Sequence, residues 1–224
     1  LEQVISGYVQ SHGELFQIVR LKENVGLGKA LNAGLKRCRF ELVARMDADD
    51  ISLPDRIERQ LAVFSARDVD IVSGSLTEFD EVHPEGGAMR CLPEEQDEIL
   101  KFARRRNPFN HPCTMYKKTS VIEAGGYKHF EGFEDYYLWV RMLRKGMCGY
   151  NIPELLLKMR VDGMHERRGG KTYASSIVKF RLYLFKSGFC SLIDFLYVVA
   201  GHVAVSILPN GIRKLFYDKV LRKK

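Results

Sequence analysis

The five cysteines, Cys38, Cys91, Cys113, Cys148 and Cys190, are odd in number, and no two of them stand at CxxC spacing. That pattern disfavours a zinc site and leaves reduced thiols as the expectation. No signal peptide is visible, and there is no internal repeat or low-complexity tract. Long apolar runs are also lacking. The longest near-apolar stretch, Leu192 to Leu208, has 17 residues and is interrupted by Asp194, His202 and Ser206. It lies at the lower limit for a membrane span, so an in-plane or re-entrant helix pair is expected rather than a clean crossing.

What is present is globular composition. The chain has 224 residues, 46% of them hydrophobic and 28% charged, enough for one large α/β domain and an appendage. The net charge of +7 is concentrated in Arg104-Arg105-Arg106, in Arg167-Arg168 with Lys171, and in a tail holding Arg213-Lys214, Lys219 and Arg222-Lys223-Lys224. Such clusters suit an anionic surface such as a membrane or nucleic acid, or are simply solvated faces.

Taken in order, Leu1 to Gln10 has helical apolar spacing and Leu15 to Leu21 reads as a strand. A glycine-bearing turn at Gly26 and Gly28 leads into a helix over Lys29 to Cys38, then a strand over Phe40 to Met46. Ser52-Leu53-Pro54-Asp55 resembles a capping box, with Ser52 as the cap and Asp55 reaching back, and opens a helix to about Arg67. Another strand covers Asp70 to Leu76. This alternation predicts an open, mostly parallel sheet with ligands at the carboxyl ends of its strands. Further helices are expected over Pro93–Arg105, Thr119–Ala124 and Phe133–Arg144, with extended segments on both sides of Pro153. Thr172 to Ser187 then reads as an aromatic-rich amphipathic helix.

Two acidic groups carry the chemistry. Asp47-Ala48-Asp49, followed by Asp50, closes the strand that ends at Met46. Like charges at the end of a buried strand repel and are costly to desolvate, so a compensating cation is expected, naturally a divalent ion with a phosphate-bearing ligand. Asp49 would ligate the metal and Asp47 could face a ribose, while Asp50 either ligates or favours the helix N-terminus. The second group is Glu134-Asp135 at a helix start. Its carboxylates either stabilise that terminus or supply a general base for an attacking hydroxyl, a role contributing roughly 10²–10⁴-fold in rate.

The run NVGLGKALNAGLKRCRFELVARMDADDISLPDRIERQ, then NPFNHP, then GFEDYYLWVRMLRKG, resembles family 2 glycosyltransferases of the GT-A fold. The likeness is strongest to the bacterial exopolysaccharide and O-antigen branch typified by amylovoran biosynthesis enzymes. It implies a GT-A catalytic domain over 1–165 and a C-terminal helical, membrane-associating appendage over 166–224. It implies an inverting enzyme in which Asp47 and Asp49 bind a nucleotide-sugar and Mg2+ or Mn2+, and in which Asp135 of the Glu134-Asp135 pair is the base. Lys29, Asn32 and His111 fall where the family lines the donor and acceptor sites. Arg160, His165, Arg167 and Arg168 are candidates for contacting the diphosphate or metal. The implied partners are a nucleotide-sugar donor, expected to be UDP-linked, a lipid-linked saccharide acceptor and an anionic membrane surface, with no nucleic acid. The implied location is peripheral, at the cytoplasmic face of the bacterial inner membrane.

Family members normally begin with a strand, a helix and a second strand that are not found here, so the first two strands are expected to be missing. The full product would be about 40–50 residues longer, and this chain alone is expected to be poorly stable and inactive. Two rival readings exist. A metal-dependent phosphohydrolase or nucleotidyltransferase could use the same acidic motif, but the phosphatase pattern wants Thr or Val where Ile51 stands. A non-catalytic, membrane-docked assembly subunit is the other.

Overall fold

The computed structural model describes residues 2–87, 89–161 and 170–207. Helix α1 spans Glu2–His12, and α2 spans Leu27–Arg37. Gly26 precedes α2 with φ of 82°, a left-handed conformation that glycine adopts without steric cost. Between the two helices the expected strand over Leu15–Leu21 is not a strand. No described strand bonds to it, and Leu15, Phe16, Ile18, Val19 and Leu21 are all exposed. A short apolar run makes a strand only where a ladder partner takes up the backbone groups.

Strand β1 is Leu42–Ala44, shorter than the sequence suggests, and β2 is Ile51–Ser52. Ser52 is therefore a strand residue paired with Leu157, and not a helix cap. Helix α3 runs Arg56–Ala66 with Asp55 at its N-cap position, where the carboxylate bonds Arg59 at 2.6 Å instead of reaching back to the backbone. Strand β3, Ile71–Phe79, is buried at eight of its nine positions and forms the sheet's spine. The remaining elements are β4 (Met89–Arg90), α4 (Gln96–Ala103), a 3-10 turn over His111–Cys113, β5 (Met115–Lys117), α5 (Lys118–Glu123), α6 (Glu134–Arg144), β6 (Gly149–Arg160), α7 (Gly170–Lys186) and α8 (Leu192–Ile207).

The sheet order is β1-β5-β3-β6-β2, with β4 also on β3. The α/β architecture is as expected, but the sheet is mixed rather than mostly parallel: among the described pairs only β3 and β6 run parallel. The two extended segments around Pro153 are a single strand. Its register against β3 shifts on both sides of Ser75, which leaves Pro153, Glu154 and Leu156 without ladder partners there. A residue that cannot donate a ladder bond belongs at such an irregularity.

Trp139 of α6 is fully buried, with the rings of Phe109, His111, Tyr116 and Tyr127 packed around it at centroid distances of 5.8–6.4 Å. The opposite face of α6 presents Tyr136 and Val140 to Phe180 and Leu184 of α7. Among the described residues no helix is long and apolar enough to cross a membrane.

Candidate active site

The acidic turn hangs from the end of β1. Arg45, only 5% exposed, leaves that strand and forms an ion pair with Asp47. A buried guanidinium is costly to desolvate unless acceptors surround it. Here Nη2 serves Asp47, while Nε and Nη1 are buried with no partner. Beneath it lies Arg56 of α3, which donates to the Arg45 carbonyl at 2.7 Å and to Gln60 at 3.1 Å. Gln60 in turn donates to the Cys113 carbonyl at 2.8 Å. This buried polar network pins the end of β1, and therefore the turn that follows it, against the segment before β5.

Asp49 is exposed at the turn, whereas Asp50 is buried. The Oδ1 of Asp50 accepts the Arg160 backbone N–H at 2.9 Å, and its Oδ2 has no partner. Burial pushes the Asp50 carboxyl up from its ordinary range, the nearby Asp47 and Asp49 push it further, and the Arg160 N–H bond and Arg45 oppose them. Among the described residues no three His, Cys, Asp or Glu side chains are grouped to hold a metal by themselves. The donor set still fits Mg2+ or Mn2+. Carboxylate oxygens are hard ligands, the Asp49 carboxylate is exposed, and such ions usually take only one or two carboxylates together with substrate phosphates.

The second half of the site is the first turn of α6. Asp135 Oδ2 accepts a hydrogen bond from Asn107 Nδ2 at 2.7 Å. Glu134 is half-buried, lies 3.8 Å from His129 Nδ1, and rests its Cγ beside Gly28 at the start of α2. His111 lies in the 3-10 turn, and its Nε2 meets the Tyr127 hydroxyl at 3.0 Å. Burial lowers the His111 imidazole to about 4 against the pull of the Asp135 charge, with Arg45 adding to the lowering. His111 is thus neutral at physiological pH and within electrostatic reach of both Asp135 and the Arg45–Asp47 pair. Tyr127 is likewise pushed well above its ordinary value by burial.

The sequence-derived candidates are distributed as follows. His111 and Asp135 stand close together, and Asp47 joins them through Arg45. Asn32 uses both ends of its amide on the Tyr127 backbone, donating to the carbonyl at 2.7 Å and accepting the N–H at 2.9 Å. It therefore holds the Tyr127 turn and has no direct bond to either acidic group. Lys29 is exposed on the first turn of α2. Arg160 contributes its backbone N–H to Asp50 and lays its guanidinium over Phe79. His165, Arg167 and Arg168 lie outside the described residues.

Arg45, Asn107 and Tyr127 were not apparent from the sequence. A charge inside the apolar segment LVARM was the available signal for Arg45, and an Asn fixed by a following proline was the signal for Asn107. Tyr127 offered none.

Comparison with known proteins shows the family and the fold. Residues 1–125 match the family described as Glycosyl transferase family 2. The amylovoran biosynthesis glycosyltransferase AmsE of Erwinia amylovora is 44% identical over 170 residues, 75% of this chain and 63% of that protein. The chain therefore spans less than two thirds of that relative. A UDP-Gal:alpha-D-GlcNAc-diphosphoundecaprenol beta-1,3-galactosyltransferase of Escherichia coli is 37% identical over 205 residues, 91% of this chain and 74% of that one. Among solved structures, the mannosyltransferase PcManGT from Pyrobaculum calidifontis, in complex with GDP-Man and Mn2+, superposes with a TM-score of 0.59 at 16% identity. That match covers 95% of this chain and 58% of that one. S. aureus TarS 1-349 with UDP-GlcNAc gives 0.55 at 13% identity, over 98% and 58% of the two chains. At such identities the likeness establishes the fold, GT-A, and nothing finer.

Proposed function

We propose, from the premise that this chain belongs to glycosyl transferase family 2, that it transfers a sugar with inversion from a nucleotide-sugar to a hydroxyl of a lipid-linked saccharide in bacterial surface polysaccharide biosynthesis. The observation that carries the proposal is the placement of Asp135. It sits on the first turn of α6, oriented by Asn107, with its charge felt by a neutral His111. The donor is a UDP-sugar and the acceptor a diphospholipid-linked saccharide. Support for both comes from the donor and acceptor named for the Escherichia coli relative.

Asp135 takes the proton from the acceptor hydroxyl as that oxygen forms its bond to the anomeric carbon. The bond from that carbon to the donor's phosphate oxygen breaks, and its electron pair leaves with the nucleoside diphosphate. Asn107 keeps one Asp135 oxygen occupied, so the other faces the acceptor. Asp47 and Asp49 hold the donor end, with Arg45 fixing the Asp47 rotamer. A Mg2+ or Mn2+ ion held by Asp49 and Asp47 would supply charge neutralisation at the departing diphosphate. Lys29 flanks the nucleotide, while Asn32 and Tyr127 keep His111 in place.

The acceptor's lipid directs attention to α8. Leu192, Ile193, Leu196 and Tyr197 are exposed on it, Ile193 by 75%, and Leu182 and Phe185 of α7 are exposed as well. The following sequence up to Lys224 holds six basic residues and one acidic residue. An apolar face followed by lysines and arginines suits peripheral docking on an anionic bilayer, at its cytoplasmic face.

The deciding experiment is Asp135→Asn. Turnover should fall roughly 10²–10⁴-fold while nucleotide-sugar binding, followed by calorimetry, is retained. Near-wild-type turnover would remove Asp135 as the base.

A further inference from the structure

We infer that Arg181, on α7, is a positioning residue for the Asp135 base; the inference rests on the catalytic reading above. Arg181 lies 74 positions from Asn107 and 46 from Asp135 in the sequence, and no motif marks it. Its side chain is nonetheless almost fully enclosed, at 3% exposure. Its two terminal nitrogens meet acceptors that replace water, while Nε is buried with no partner.

Those acceptors lie on both sides of the Asn107–Asp135 hydrogen bond. Arg181 Nη2 donates to the Arg105 carbonyl at 2.7 Å, and Nη1 donates to the Arg104 carbonyl at 3.3 Å and to the Tyr136 hydroxyl at 3.4 Å. The Tyr136 hydroxyl itself donates to the Ala103 carbonyl at 2.6 Å. Three successive carbonyls at the C-terminal end of α4 are therefore held by groups from α6 and α7. These are the carbonyls a helix leaves unpaired at its end, where a cation is also favoured by the helix dipole.

The geometric consequence follows from chain continuity. Asn107 comes two residues after Arg105, and the buried Pro108 restricts its backbone. Fixing 103–105 therefore fixes where the Asn107 amide arrives. On the other side, Tyr136 is the residue next to Asp135, so the same guanidinium braces the first turn of α6. Two more α7 contacts bracket that turn: Ser176 Oγ donates to the Glu131 carbonyl at 2.5 Å, and Tyr173 stacks on Phe133 at 6.0 Å and 11°. Helix α7 thus acts as a splint along the base, with Arg181 joining the backbone just before Asn107 to the Tyr136 side chain next to Asp135.

The test compares Arg181→Met, Arg181→Lys and Tyr136→Phe in the intact protein. It measures kcat, the dissociation constant for UDP-sugar, thermal melting, and the Asn107 side-chain amide resonance in nitrogen-resolved NMR spectra. Arg181→Met should lower kcat about 10- to 100-fold, the scale of a misplaced catalytic group, with donor affinity changed less than about two-fold on the same reasoning. The Asn107 amide should shift and lose its protection from solvent exchange. Arg181→Lys, which keeps the charge but not the three-way fork, should recover part of both. If Arg181→Met does not fold, Arg181→Lys and Tyr136→Phe carry the same readouts.

An unmoved Asn107 resonance, or a loss of kcat that merely tracks loss of folded protein and of donor binding, overturns the inference. Should Asp135→Asn leave turnover intact, the base assignment falls separately. The Asn107 resonance then still decides, a shift upholding the Arg181 coupling and its absence overturning it.

Discussion

Asn107 Nδ2 donates to Asp135 Oδ2 at 2.7 Å, joining residues 28 apart in sequence and setting the direction of the carboxylate. The bond is charge-assisted, of a kind whose removal costs about 1.5–3 kcal/mol. Asn107→Ala should therefore lower kcat by about ten-fold through misorientation, with little change in KM for the donor. Steady-state kinetics with the donor varied at saturating acceptor would check this. A rise in KM at unchanged kcat would instead place Asn107 in donor binding.

His111 predicts a pH dependence of stability. Its ordinary value is 6.5, and in the folded protein it is lowered to about 4, chiefly by burial. Between those values the unfolded chain binds a proton that the folded chain refuses. The stability contributed by keeping His111 neutral is full above about pH 6.5 and is lost as pH falls toward 4, a change on the order of 3 kcal/mol. Denaturant melts at a series of pH values should show this slope in the wild type. It should be flattened in His111→Asn.

Ser191 and Asp194 form a reciprocal cap at the start of α8. The Ser191 hydroxyl donates to Asp194 Oδ2 at 2.7 Å and accepts the Asp194 N–H at 3.1 Å, and Asp194 also pairs with Arg105. Hydrogen bonding from Ser191, followed by Arg105, holds the Asp194 carboxyl below its ordinary value against the effect of burial. The contribution of this anchor is thus present above the ordinary carboxylate range and is lost as pH falls through the depressed value. Ser191→Ala should cost about 1 kcal/mol. The gap between wild type and Asp194→Asn should close in acid, which thermal melts at neutral and low pH would measure.

Gly149 of β6 sits against the loop that carries Asn107. A Cβ there would lie 2.4 Å from Phe109 Cζ and 2.8 Å from its Cε1, and Phe109 is itself packed edge-on against Trp139. The ring has no free space to yield into, so Gly149→Ala should destabilise the protein by about 1–3 kcal/mol. Equilibrium unfolding monitored by the fluorescence of Trp139 reads the change directly.

Asp49 is exposed at the turn and Asp47 is already paired with Arg45, so Asp49 offers the more accessible carboxylate for a cation. Asp49→Asn should raise the Mn2+ concentration needed for nucleotide-sugar binding by about ten-fold or more, since such ions rely on one or two carboxylates plus phosphate. Calorimetric titration of the donor at several Mn2+ concentrations provides the measurement. Unaltered Mn2+ dependence would move the ligand role elsewhere.

Local pattern determined a good deal of this protein by itself. Apolar periodicity placed α2, α3, α4, α6 and α7 to within a few residues, because a helix buries one stripe and its spacing is written into about a dozen consecutive residues. The family and the two acidic motifs were legible for the same reason: Asp47-Ala48-Asp49 and Glu134-Asp135 are each contiguous. The failures are also local in origin. Leu15–Leu21 has the apolar, β-branched content of a strand but no partner among the described residues, and Ser52-Leu53-Pro54-Asp55 has the letters of a capping box but enters the sheet first.

Only the tertiary structure decided which distant groups meet. It inserted β5 between β1 and β3, turned Asn32 toward a backbone 95 residues away, buried Arg45 beside Asp47, and set Asn107 on Asp135. The physical reason is that a side chain's partner across the core is chosen by packing and by the need to satisfy buried polar groups. Neither leaves a periodic trace in the residues that take part.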